Sequence, residues 1–192
     1  MALAVLSVLL SQTQLLHSSV EIGSISEVRG NAQVLRDKAY GAELKFDIQQ
    51  MDDVRTETGR VAITFLDSST VKLTEHSKLV IDEYIYDPDP SKSKMALKFA
   101  SGTARFITGK FNNKNNISIR TPTANIAIRG TDFTCTVDEL GRSLVILLPD
   151  ENGISSGEII VSTGMGSVTL NKPYQATTVS VFENNPTAPV EL

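Results

Sequence analysis

Few side chains in this chain are equipped for covalent chemistry. Its whole supply of imidazole and thiol is His17, His76 and Cys135. A cysteine nucleophile needs a base within hydrogen-bond reach. Cys135 instead falls in phase with Phe133 and Val137 in the run FTCTV, the spacing of residues that share one face of a strand, so it reads as a small buried hydrophobe. A single cysteine also excludes an internal disulfide and any multi-cysteine metal site. The 22 Asp and Glu residues include no recognisable acid–base arrangement, and neither a glycine-rich phosphate loop nor zinc-ligand spacing occurs. Asp87-Pro-Asp-Pro and Asp150-Glu-Asn-Gly offer oxygen ligands of the kind Ca²⁺ takes, but neither completes a ligand loop, and ordinary turn chemistry explains both. The expectation is therefore no catalytic residue, no metal and no cofactor.

The charges carry more information than the net value of -4. Residues 37–90 hold twelve acids and six bases, whereas 91–130 hold eight bases and no acid, and 131–192 hold eight acids and two bases. The basic band supplies a candidate polyanion site in Lys92, Lys94, Lys98, Arg105, Lys110 and Lys114, able to attract an acidic envelope polymer such as lipopolysaccharide phosphate. Its only aromatics are Phe99, Phe106 and Phe111, a poor platform for stacking bases, so nucleic acid is not expected as a partner. The competing expectation is that the two flanking acidic segments neutralise the band by cross-strand pairing.

Such residues need elements to hold them, and the pattern from Ile22 onward is alternation. Val61/Ile63/Phe65, Leu97/Phe99, Ile117/Ile119, Ala124/Ile126/Ile128 and Ile159/Val161 are examples, as is Leu44/Phe46/Ile48. The runs are short and end in Gly, Asn, Asp, Ser or Pro, which predicts many brief strands joined by tight turns. Turns are expected at Asp67-Ser68-Ser69, Asp87–Pro90, Asn112–Asn116, Asp150–Gly153 and Gly164–Gly166. Gly30, Gly102, Gly157 and Gly166 each precede an alternating run, several in an Arg-Gly or Ser-Gly pair suited to a corner. Recurring corner-and-strand units suggest an all-β, solenoid-like stack of short strands, with a β-sandwich as the alternative. Met1–Leu10 is an uncharged apolar block of signal-peptide length, too short to span a bilayer. The chain thus divides into a signal peptide at 1–19, one β domain at 20–183 and a flexible, proline-bearing tail at 184–192.

One stretch is specific enough to place the chain. Thr121–Phe133 reads TPTANIAIRGTDF and resembles the hallmark of the FecR domain family, Thr-Pro-x-Ala-x-Ile/Val-x-x-Arg-Gly-Thr-x-Phe. Thr121, Pro122, Ala124, Arg129, Gly130, Thr131 and Phe133 occupy its defined positions. Upstream, in order, Val28-Arg-Gly-Asn-Ala-Gln-Val is similar to the family's opening strand. Asp53-Val-Arg-Thr-Glu-Thr-Gly-Arg-Val-Ala-Ile is similar to its D-x-I-x-T step. Phe65-Leu-Asp-Ser-Ser-Thr-Val-Lys-Leu stands at its Asp-Gly-Ser turn with Ser68 in place of the glycine, and Leu97–Phe106 at a later strand. The resemblance runs from about Ile22 to Val137.

That resemblance implies a β-rich domain outside the cytoplasmic membrane, which in the best-known members relays a signal to a cytoplasmic anti-sigma region. The expectation here is a stand-alone exported form. It would be a non-enzymatic binding or scaffolding module, in sensory service in some settings, in the periplasm or at the cell surface of a diderm bacterium. Its partner would be an envelope protein or an acidic envelope polymer, without a membrane span and with oligomer formation left open. The alternatives are a structural component of a surface or phage assembly and, more distantly, a polysaccharide-acting enzyme. The motif residues are expected to be structural: Gly130 permits a corner, and the guanidinium fork of Arg129 ties nearby carbonyls or pairs with Asp132.

Overall fold

The structure is a computed structural model; it describes residues 20–87, 89, 92–109, 117–181 and 185–192. The region assigned to a signal peptide, the turn expected at Asn112–Asn116, and Lys110, Phe111 and Lys114 lie outside these residues. Seventeen strands and no helix make up the described elements, so the chain is all-β. None of its described residues forms a helix long and apolar enough to cross a membrane.

The strands are β1 (Glu21–Arg29), β2 (Ala32–Leu35), β3 (Ala39–Gly41), β4 (Asp47–Gln49), β5 (Asp53–Thr56), β6 (Arg60–Phe65), β7 (Thr70–Leu73), β8 (Lys78–Ile85), β9 (Lys94–Ile107), β10 (Ile117–Arg120), β11 (Asn125–Arg129), β12 (Asp132–Val137), β13 (Ser143–Leu147), β14 (Glu158–Ser162), β15 (Ser167–Leu170), β16 (Gln175–Val179) and β17 (Val190–Glu191). Their pairings resolve into two linear sheets. The first runs β4-β1-β6-β7-β9-β12-β13-β16-β17. The second runs β3-β2-β5-β8-β9-β10-β11-β14-β15. β9 belongs to both: its first half pairs with β8 and β10, and its second half with β7 and β12. All pairings are antiparallel except β9–β10.

The alternation in sequence explains why both sheets share one core. Ile25, Ile63, Phe133 and Val145 from the first sheet and Val34, Leu79, Leu97, Ile126 and Val161 from the second all belong to a single buried apolar cluster. Aromatic contacts bridge the sheets, with Phe65 stacked on Tyr84 at 5.4 Å and Phe99 edge-on to Phe106 at 5.9 Å. Burial of these side chains is the main favourable term for a chain whose strands are mostly too short to be stable alone. The chain advances along the stack by crossing repeatedly between sheets, a solenoid feature, while the two inner faces meet as in a sandwich.

The Arg-Gly and Ser-Gly pairs mark those crossings. Arg29-Gly30 leads from β1 to β2, Ser101-Gly102 bends β9 between sheets, Arg129-Gly130 leads from β11 to β12, and Ser156-Gly157 opens β14. At Gly102 the backbone takes φ +94° and packs directly on Ser77, so a side chain is excluded twice over.

One local expectation is corrected. Leu44/Phe46/Ile48 is not one strand: Lys45 adopts φ 66°, which breaks the pleat, and Leu44 is exposed. The tail at 185–192 is laid on β16: the Thr187 amide donates to the Thr178 carbonyl at 2.9 Å, and Val190 pairs with Ala176.

Candidate functional site

The hallmark stretch folds as a hairpin followed by a crossing. Thr121–Ala124 is the turn joining β10 to β11. Its backbone closes through the Thr121 amide to the Ala124 carbonyl at 2.9 Å, while the Ala124 amide donates back to Thr121 Oγ1 at 2.9 Å. Pro122 fits this turn because its ring fixes φ and it has no amide proton to satisfy. Ser143, fully buried, donates to Thr121 Oγ1 at 2.7 Å and lies 2.7 Å from Thr123 Oγ1. Thr123 in turn reaches the Gly141 carbonyl at 3.0 Å. Three hydroxyls thus lock the turn of one sheet to β13 of the other. A hollow of about 610 Å³ opens beside this turn, bounded across the gap by Thr163, Gly164 and Met165.

Beyond β11, Arg129 pairs with Glu158 on the neighbouring strand at 2.8 Å, and Asp132 is gripped through both oxygens by Arg105. The ion pairs at this corner include Arg129–Glu158 and Arg105–Asp132. Gly130 takes φ +58° with open space around it, so conformation alone favours glycine there. Phe133 is fully buried and stacks on Phe106 at 5.0 Å.

Thr131 is unusual. Its backbone is fully used by Thr108, but Oγ1 is buried with no hydrogen-bond partner among the described residues. A buried hydroxyl left unpaired costs about 1–3 kcal/mol. Thr131→Val keeps the shape and removes that group, so its melting temperature is expected to rise by about 2–4 °C for each kcal/mol regained. A fall on thermal denaturation would show that the hydroxyl is in use.

Among the described residues, the basic band is divided between the two sheets. Lys94 pairs with Glu83 and Lys98 with Asp82, each at 2.7 Å, and Lys92 approaches Asp89 at 3.7 Å. These lie on the second-sheet half of β9 or just before it, whereas Arg105 lies beyond the Gly102 bend, in the first sheet. Acidic segments adjacent in space therefore supply partners to the band, which sequence proximity alone conceals.

Two buried carboxylates went unrecognised in the sequence. Asp52, wholly buried, receives both arms of Arg36 at 2.7 and 2.8 Å and the Gln49 amide at 2.8 Å. Setting the threonine of the D-x-I-x-T step on Thr56 places its aspartate on Asp52. Asp53, by contrast, is partly exposed beside Arg55 and Lys78. Asp67, also wholly buried, accepts from the Tyr84 hydroxyl at 3.1 Å and from the Ser69 hydroxyl. Burial raises the Tyr84 hydroxyl far above its usual range. Ser68, between Asp67 and Ser69, takes φ 70°, a left-handed conformation that glycine adopts without strain.

Cys135 and the two acidic turns are likewise engaged structurally. Cys135 is buried and its thiol is pushed up to about 12 by desolvation. Asp150 Oδ1 accepts from the amides of Asn152 and Ile154, and Asp87 Oδ1 from that of Asp89, which is turn chemistry. Among the described residues, no group of three or more His, Cys, Asp or Glu side chains is placed to hold a metal.

With this geometry in place, the family model described as "FecR protein" matches residues 52–150, which hold the buried Asp52 step, the Asp67 turn and the whole hallmark hairpin. The chain belongs to the FecR family. Two crystal structures, at 2.50 and 1.65 Å, of a protein called a "putative anti-sigma factor" from Parabacteroides distasonis ATCC 8503 resemble it in fold. Their TM-scores are 0.52 and 0.51, at 15% and 14% identity, and each comparison covers 70% of this chain. The match spans 57% of the length of that protein. No curated protein matches the chain.

Proposed function

We propose that the protein is a non-enzymatic binding module of the bacterial envelope that serves a sensory or regulatory relay through a protein partner. The observation that carries this reading is the FecR match over residues 52–150. The internal geometry supports it: the hallmark residues and the buried carboxylates are engaged in holding strands, turns and crossings together, which leaves recognition to the outer faces of the two sheets. The sheets end in short strands, β3 and β4 of three residues each and β17 of two. Short edges offer little template for edge-to-edge stacking, which favours a module that meets a different partner over a self-assembling filament.

The test is genetic. Deleting the gene is expected to change the transcript levels of a small, discrete set of genes, and restoring the full chain should return them. Export is checked alongside by fusing the chain to a phosphatase active only outside the cytoplasm. A transcriptome indifferent to deletion, or a fusion active only in the cytoplasm, would overturn the reading.

A further inference from the structure

The outer face of the first sheet brings together four cations that are scattered in sequence. On β1 and β6, Arg29 stands directly opposite Arg60; on β7 and β9, Lys72 stands directly opposite Arg105. All four line one hollow of about 380 Å³ whose floor is Ala62, the small residue between Glu27 and Lys72 in the cross-strand row. Like charges placed directly opposite destabilise a sheet, and this face carries two such pairs side by side.

The available acids do not resolve both pairs. Asp132 engages Arg105, and Glu27 lies 3.7 Å from Lys72 with both side chains well exposed. Among the described residues, neither Arg29 nor Arg60 has a hydrogen bond or ion pair through its side chain. Their positions are nevertheless fixed. Arg29 precedes the Gly30 corner and Arg60 follows Gly59, which packs so closely there that a Cβ would lie 2.7 Å from the Arg29 carbonyl oxygen and 2.5 Å from that of Asn31. Two guanidinium forks on rigid backbone, unpaired and adjacent, suit a carboxylate that each can grip through paired N–H donors.

We infer that this face binds an extended acidic peptide segment, with one carboxylate between Arg29 and Arg60 and a second toward Lys72 and Arg105. The inference rests on the reading of the protein as a partner-binding module. β1 and β9 are three strands apart, about 14 Å at ordinary strand spacing, a span that one small anion cannot bridge but alternate side chains of an extended peptide can. The hollow has no aromatic residue among its lining, so it offers no stacking platform for nucleic acid bases. Being concave and cationic, it presents no protruding apolar side chains to a lipid surface.

The probe is a fluorescein-labelled peptide alternating Glu and Ser, with its Gln-for-Glu counterpart as control, titrated by anisotropy against the full chain. Binding of the Glu peptide alone is expected, weakening as salt rises. Arg29→Gln/Arg60→Gln should reduce affinity by about tenfold or more, while Lys94→Gln/Lys98→Gln on the other sheet leaves it unchanged. The first variant should melt no lower than the parent, because it relieves a like-charge pair. If that double variant fails to fold, Arg60→Gln alone is measured in the same way. Failure of the Glu peptide to bind, equal loss in both double variants, or binding only to heparin or to vesicles containing phosphatidylglycerol would overturn the proposal. A negative result here alongside a preserved transcript response would remove this surface and leave the sensory reading standing.

Discussion

Gly102→Ala is expected to destabilise the protein by about 2–5 kcal/mol and to lower its melting temperature by on the order of 10 °C. Two independent costs meet at this residue. The backbone lies at φ +94°, outside the regions open to a residue with a Cβ, and the added carbon would sit 2.5 Å from Ser77 Cα while also meeting the Ser77 hydroxyl. Ser77 has no room to retreat, because it is buried and its own hydroxyl receives the Thr103 amide at 3.2 Å. Its amide in turn donates to Thr56 Oγ1 at 2.8 Å. Gly102 is also where β9 passes from one sheet to the other, so relaxation there would disturb pairings with β7, β8 and β12 together. The matched control is Gly130→Ala, which has a positive φ but open space. Strain alone should cost it about 1–2 kcal/mol. Equal melting temperatures for the two variants would refute the steric part of this account.

The comparison of Gly102 with Gly130 also shows how far sequence reasoning reaches. Alternation in runs such as Ile117/Ile119 and Phe133/Cys135/Val137 exposed the strands because each buries one face, and period two is unmistakable when that face is apolar. The corners were legible for the same reason, since glycine before a strand is a local signal. The hallmark TPTANIAIRGTDF was legible as a pattern, but the Ser143 hydroxyl that locks its turn comes from β13 and carries no mark in the sequence. What stayed hidden was everything set by pairing between distant segments. The basic band looked like a site because eight bases are contiguous without an acid, yet Glu83 and Asp82 from β8 meet two of them. Conversely Arg29, Arg60 and Lys72 sit in neutral or acidic stretches, and only the register of β1, β6, β7 and β9 brings them beside Arg105. Asp52 and Asp53 are adjacent and chemically alike, and a one-residue shift reverses which of them faces inward.

That reversal sets up the second large effect, at the Arg36–Asp52 pair. Arg36→Met, which keeps most of the side-chain volume, is expected to cost about 2–4 kcal/mol, somewhat below the usual 3–5 for breaking a buried pair. The discount reflects Arg36, whose side chain is 25% exposed, while that of Asp52 is at 0%. For the same reason the two halves of the pair are not equivalent. Removing Arg36 strands a fully buried carboxylate with only the Gln49 amide, 2.8 Å away, to support it. Asp52→Asn strands instead a guanidinium that can turn toward water, that already donates to the Asp47 carbonyl at 3.0 Å, and that lies 5.6 Å from the centre of the Phe46 ring. Its cost should be about 1–2 kcal/mol, as for a hydrogen bond lost at a partly solvated group. Arg36→Lys should recover little, because a single ammonium cannot reproduce the two-armed contact to both carboxylate oxygens. In the double variant Arg36→Met/Asp52→Asn the cost should fall short of the sum of the single costs by about 1 kcal/mol or more, the signature of residues that act through each other. Urea denaturation of the parent and the four variants measures all of this. Additive costs, or a larger loss from Asp52→Asn than from Arg36→Met, would show that the carboxylate is not held in place by Arg36 in the way its geometry implies.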